Sequence, residues 1–217
     1  MSRNLIRCCK SYLVKCDSSY NRIMKRIFFI EGLPGAGKTS LLSALSTKYQ
    51  VISEVLDRDH LSEKHNKTEQ DFFMLNDERK LSEGQQATGT CFIDRSPLST
   101  VFFNIAKFSL DIDHPISAVL SWYENIIHPI VFNLASPFRL VYLDIDPKES
   151  LARKQSKEIK NDPWRNLQSL YQIRNLYVSL SKRYPNQIFF VDGKLHSTQL
   201  LKKVEDYVQL QEAENHN

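Results

Sequence analysis

The apolar run Arg26–Glu31 (RIFFIE) leads without a break into Gly32-Leu33-Pro34-Gly35-Ala36-Gly37-Lys38-Thr39, and a helical pattern follows from Lys38. No other stretch of the chain narrows its fold as much. The octapeptide satisfies GxxxxGK[ST], a pattern that arises by chance in roughly one chain in a hundred of this length. A strand before it and a helix after it create a setting where backbone N–H groups and a helix N-terminus surround phosphate oxygens. Gly32 and Gly37 permit turns that a side chain obstructs, and Lys38 reaches β- and γ-phosphates. Thr39 offers a hydroxyl to Mg²⁺. Leu33, Pro34, Gly35, Ala36 and Ser40 complete the expected contact set for a nucleoside triphosphate.

Four further β-branched or aromatic runs follow: Gln50–Glu54 (QVISE), Thr90–Asp94 (TCFID), Arg139–Asp144 (RLVYLD) and Gln187–Asp192 (QIFFVD). Helical patterns over Lys38–Lys48, Glu69–Ala87, Pro97–Phe108, Ile116–Leu134, Pro147–Lys157, Trp164–Tyr184 and Ser197–Gln211 alternate with them. Pro97 and Pro147 suit first-turn positions, and Ser197 suits a cap. Near-continuous apolar strands separated by helices predict a parallel sheet covered on both faces. Ligands of such sheets gather outside the carboxyl ends of the strands. The acids that end these runs, Glu31, Glu54, Asp94, Asp144 and Asp192, therefore fall where chemistry is expected.

Composition narrows the class further. With 41% hydrophobic and 25% charged residues, the chain reads as globular rather than disordered. No apolar run is long enough to span a bilayer, so no membrane partner is expected. The net charge of +4 sits in residues 1–23, where Arg3, Arg7, Lys10, Lys15 and Arg22 face Asp17 alone. The rest is neutral, which excludes a protein-wide nucleic-acid footprint. Cys8, Cys9 and Cys16 share the leader, leaving Cys91 for the body and no disulfide framework or zinc pair. Residues 1–23 read as a basic leader: upstream of a true start at Met24, a mitochondrial transit peptide, or a disordered basic tail. Residues 24–217 read as one domain, cytoplasmic unless the leader is a genuine transit peptide. Six histidines, at positions 60, 65, 114, 128, 196 and 216, form no ligand set.

A GTPase needs an NKxD-like element and a DxxG, but Asn66-Lys67-Thr68-Glu69 ends in Glu and Asp94 is followed by Arg95-Ser96-Pro97. Motor and AAA-type ATPases need more chain. The segment DRSPLSTVFFN (Asp94–Asn104) resembles the DR[YFH]xxSxxAYQ signature of thymidylate kinases at Asp94, Arg95 and Ser99, and its DRS resembles the ERS of deoxynucleoside kinases. SLARKQSK (Ser150–Lys157) is similar to the ALxRxxxRG that opens the lid in both groups. LYQIRNLY (Leu170–Tyr177) resembles their FxxVRxxY helix, and Val191–Val208 their closing segment. These landmarks span about residues 24–210, in family order. After the second strand the chain reads Ser53-Glu54-Val55-Leu56-Asp57, where thymidylate kinases carry an REPG-like run.

The resemblance to P-loop nucleoside and nucleotide kinases implies a five-stranded parallel sheet of order 2-3-1-4-5 with helices on both faces and a basic lid. It implies an ATP- and Mg²⁺-dependent phosphotransferase acting on a nucleoside, a nucleoside monophosphate or a similar small acceptor. Lys38 and the lid cation Lys157 would neutralise phosphate charge, and Arg153 would pack on the ATP adenine. Asp94 would hold Mg²⁺ with Thr39, while Arg95 would bind the acceptor's phosphate or the migrating group. Either Glu54 or Asp94 is the general base. Ordinary strand-end acids and a solvated basic helix end are the competing readings of these groups. Arg174 is expected to face the phosphates or to make a surface ion pair. Phe72 and Phe102 are the candidate base platform among aromatics that otherwise read as core. Some of the families resembled form helical-face homodimers. Two rival functions stand beside this one: a kinase of a non-nucleotide small molecule, and a non-catalytic ATP-binding regulatory module.

Overall fold

The structure is a computed structural model and describes residues 26–54, 69–110, 116–132, 136–155, 159–160 and 162–213. The leader, residues 1–23, and Lys157 lie outside the described residues. Five strands, β1 (Ile27–Gly32), β2 (Gln50–Ile52), β3 (Cys91–Asp94), β4 (Phe138–Asp144) and β5 (Ile188–Asp192), form one parallel sheet in the order β2-β3-β1-β4-β5. The expected order 2-3-1-4-5 is therefore the observed one. β1 is central and buried along its whole length, as its apolar run Ile27–Ile30 requires.

Pleating divides the side chains between two faces. Phe28 stacks on Phe92 and meets Tyr207 edge-on, and Phe189 stacks on Tyr207. That face carries α1 (Lys38–Leu45) and α8 (Ser197–Ala213), which pack together. On the other face Tyr142 packs on Phe190 and on Tyr177 of α7 (Leu167–Arg183). α2 (Glu69–Gln86) and α3 (Pro97–Ser109) complete this layer, α2 close enough that a Cβ on Gly84 would meet Ile93 at 3.0 Å. The register Phe29↔Leu140 and Glu31↔Tyr142 sets Glu31 on the α2/α3/α7 face, at the carboxyl end of the central strand.

Helix starts follow the sequence signals. Ser96 caps α3 by accepting from Leu98 N at 3.3 Å, with Pro97 in the first turn. Asp146 caps α6 (Pro147–Arg153) at 2.8 Å from Lys148 N, and Asn166 caps α7 at 2.9 Å from Ser169 N. α8 differs: its first helical residue is Ser197, and the carbonyl of His196 before it accepts from Leu200 N at 2.9 Å.

The expected helix Ile116–Leu134 is broken into α4 (Ile116–Trp122), a π-turn (Tyr123–Ile127) and α5 (His128–Val131). Pro129 explains the break, because its ring clashes with the carbonyl one turn earlier. Widening the turn, with His128 N donating to Tyr123 O, relieves the clash. The expected strand Gln50–Glu54 ends at Ile52, so Glu54 stands two residues beyond it. The expected helix Pro147–Lys157 ends at Arg153, where the chain turns through Gln155 at φ +49°.

Candidate active site

The loop between β1 and α1 is built on three glycines with positive φ: Gly32 at 147°, Gly35 at 77° and Gly37 at 98°. At Gly32 a Cβ would lie 2.6 Å from the Leu143 carbonyl, so only glycine lets the loop leave the sheet here. Gly37 takes the N-cap of α1 without a side-chain cap, leaving the first-turn amides of that helix to a ligand. Thr39 and Ser40, in the same turn, are exposed.

Lys38 is only 8% exposed, and its Nζ donates to the loop's own carbonyls, Gly32 at 2.7 Å and Leu33 at 3.0 Å. Burial, reinforced by the nearby Arg95 guanidinium, lowers its pKa to about 7, while Glu31 and Asp94 pull the other way. A buried cation bonded to neutral carbonyls, in a loop whose three glycines all take positive φ, fits an anionic phosphate well. Thr39 and Asp94 offer a hydroxyl and a carboxylate to a divalent cation. Among the described residues no group of three or more His, Cys, Asp or Glu forms a protein-only metal cage. Two protein ligands match the sparse way Mg²⁺ is held when phosphates supply the rest.

The turn after β3 carries the next residues. Arg95 adopts φ +58°, in the left-handed region, and its N–H donates to Ile30 O at 3.1 Å. Its guanidinium reaches Glu54 at 3.7 Å and Ser99 Oγ at 3.4 Å, and lies 5.2 Å from the Trp164 ring centre. The structure thus brings together Lys38, Glu54, Asp94 and Arg95 at the carboxyl ends of β1, β2 and β3. Burial raises the pKa of Glu54, and Arg95 and then Lys80 partly offset that rise.

Beneath this group Glu31, 1% exposed, accepts from Ser96 N and Ser96 Oγ at 2.7 Å each and from Ser99 Oγ at 2.8 Å. A buried carboxylate is tolerable only when so satisfied. Ser96 and Ser99 of the DRSPLS segment therefore tie the turn to the phosphate-loop strand. Sequence reasoning marked Glu31 only as a strand-end acid.

On the other side of the loop, Arg153 donates to Gly35 O at 3.3 Å and Gly193 O at 3.0 Å and pairs with Glu149 at 2.6 Å. It stands at the rim of the glycine loop. Arg174 makes a bidentate pair with Asp144, 2.6 and 2.7 Å, which is the ion-pair reading of that residue. Phe102, 6% exposed, meets Tyr177 edge-on within the core, and Phe72 is buried against Phe73, so neither is an open platform. The aromatic that reaches the site is Trp164, stacked on Phe103 with ring centres 5.4 Å apart. It hid behind the charged run Lys154–Pro163, which reads as an exposed connection.

No family model matches the sequence, and no curated protein does. Solved structures do. Deoxyadenosine kinase from M. mycoides with bound dATP superposes with a TM-score of 0.63 at 16% identity, over 84% of this chain and 98% of that one. The chain has the fold of a P-loop nucleoside kinase. The same mycoplasma enzyme with products dCMP and a flexible dCDP bound gives a TM-score of 0.62 at 17% identity. Thymidylate kinase from Candida albicans gives 0.60 at 17% identity, over 89% of this chain and 94% of that one. In this chain the segment Gly32–Thr39 leaves the carboxyl end of the central strand of the β2-β3-β1-β4-β5 sheet. No helix among the described residues is long and apolar enough to cross a membrane.

Proposed function

We propose that the protein is an ATP- and Mg²⁺-dependent phosphotransferase whose acceptor is a nucleoside or nucleoside monophosphate. The observation that carries this reading is the Glu54–Arg95 pair, 3.7 Å apart, at the strand ends beside the Lys38 loop. A purely nucleotide-binding module has no use for a half-buried acid of raised pKa paired with an arginine that itself lies close enough to Lys38 to lower its pKa. The dATP, dCMP and dCDP named for the mycoplasma enzyme support an acceptor of nucleoside type.

Bound Mg·ATP supplies a transferable γ-phosphoryl group. The loop amides and Lys38 hold the phosphates, and Thr39 and Asp94 would hold the metal. Glu54 accepts the proton of the acceptor hydroxyl, its raised pKa bringing it closer to working pH than an ordinary carboxylate. Arg95 neutralises charge on the acceptor side. Arg153, at the loop rim, covers the base of the donor. A charge pair at 4 Å is worth on the order of 4 kcal/mol at an effective dielectric near 20, so these cations set the rate as well as the affinity.

Glu54→Gln separates catalysis from binding. Turnover falls by about a hundredfold or more, as for loss of a general base, while ATP affinity holds. The acidic limb of kcat/KM, which lies above the ordinary carboxylate value of 4.5, disappears in the variant. Unchanged turnover in Glu54→Gln contradicts the assignment.

A further inference from the structure

α2 presents two adjacent cations, Arg79 and Lys80, to the strand ends. Arg79 donates to Ser53 O at 2.8 Å, next to Glu54. Lys80 goes deeper, with 1% of its side chain exposed. Its ammonium has three donors and uses each: Asp77 Oδ1 at 2.9 Å, Asp94 O at 3.0 Å and Arg95 O at 3.3 Å. Asp77 Oδ2 in turn accepts from Thr100 Oγ1 of α3 at 2.7 Å. The close approach of Gly84 to Ile93 brings the preceding turn of α2, and with it Lys80, to the carboxyl end of β3.

Two of the three donors therefore go to consecutive carbonyls of one turn. That turn holds Arg95 at φ +58°, a conformation disfavoured for a residue with a Cβ. Its N–H groups are taken as well, Arg95 by Ile30 O at 3.1 Å and Ser96 by Glu31 Oε1 at 2.7 Å. The acceptors of these two N–H groups lie on β1, whereas the Asp94 and Arg95 carbonyls are tied to α2 through Lys80. A buried ion pair is weak as a source of stability. Its value here is geometric, because strained backbone persists only where its surroundings over-determine it.

We propose that Lys80, held by Asp77, which Thr100 holds in turn, is a positioning residue: by binding the Asp94 and Arg95 carbonyls it fixes the left-handed turn from which both side chains enter the site. The activity arm of the test rests on the phosphotransferase reading above; the structural arm does not. Lys80→Met keeps length and removes charge, and Thr100→Val removes only the hydroxyl behind Asp77. Each full-length variant is measured for amide hydrogen exchange at Arg95 and Ser96, for ATP dissociation constant, and for kcat and acceptor KM. In Lys80→Met those amides exchange faster and kcat falls by about a hundredfold, the effect of a displacement near 1 Å, with ATP affinity nearly unchanged. Thr100→Val shows the same pattern more weakly and carries the test if Lys80→Met does not fold. A merely structural lysine lowers the unfolding midpoint but leaves kcat per folded molecule and exchange at the turn unchanged; that result overturns the proposal. If the wild type phosphorylates no acceptor, the functional reading fails by itself. Exchange at Arg95 and Ser96 then decides: loss of protection supports the positioning role, and retained protection overturns it.

Discussion

Lys38 gives the sharpest electrostatic consequence of the site. Its amine is buried, bonded only to two carbonyls and repelled by Arg95, so its pKa falls from 10.5 to about 7. That fall favours the neutral amine by about 5 kcal/mol. Triphosphate beside Nζ restores the charged form and raises the pKa, so binding takes up a proton wherever the free protein has lost it. At pH 8 about nine-tenths of Lys38 is neutral in the free protein, and at pH 6 about one-tenth, so uptake is ~0.9 and ~0.1 proton respectively. Affinity for Mg·ATP therefore weakens above pH 7, by at most about tenfold per pH unit. The folded pKa lies below the unfolded one, so the unfolded chain holds more protons between about pH 7 and 10.5. The Lys38 contribution to stability thus rises with pH across that window. Calorimetric titration of Mg·ATP in buffers of different ionisation enthalpy reads the proton count, with Lys38→Met as the baseline for the nucleotide's own titration. An uptake at pH 8 no greater than that of Lys38→Met refutes the reasoning.

Two further outcomes follow from the same geometry. Glu31→Gln keeps the shape but loses the charge that three donors from Ser96 and Ser99 address, and denaturant unfolding will show a loss of about 2–3 kcal/mol with the midpoint lowered. Arg153→Ala removes the guanidinium that bridges the Gly35 and Gly193 carbonyls. It raises the ATP dissociation constant by about tenfold, or 1.4 kcal/mol, with acceptor KM unaffected, as steady-state kinetics will show.

The sheet was legible because its strands are mostly apolar and its helices are punctuated by Pro97, Pro147 and the phosphate-loop glycines. Those signals are local. The π-turn before Pro129 was legible only in principle, since a proline inside a helical pattern signals a kink without choosing its form. The phosphate side of the site lies in one contiguous octapeptide and was read whole. The acceptor side is assembled from β1, β2, β3, α2 and α3, and there the sequence named Glu54, Asp94 and Arg95 but not what holds them. Glu31 alternates with Ile30 on a strand that is apolar elsewhere, so its partners depend on register. Lys80 and Asp77 sit three apart on a helix, a spacing that reads equally well as a solvated pair. Only the proximity of α2 to β3 makes them interior. Arg174, by contrast, resolved to the blander alternative, a bidentate pair with Asp144.

The central claim is phosphoryl transfer. The full-length protein is incubated with Mg·ATP and a panel of nucleosides, nucleoside monophosphates and unrelated hydroxyl acceptors, with Lys38→Ala in parallel, and phosphorylated acceptor and ADP are quantified together. The account predicts one phosphorylated nucleoside or nucleoside monophosphate class, matched mole for mole by ADP and absent with Lys38→Ala. ATP bound tightly, with no panel acceptor phosphorylated above the Lys38→Ala level, contradicts it and favours an ATP-binding module that acts through a partner.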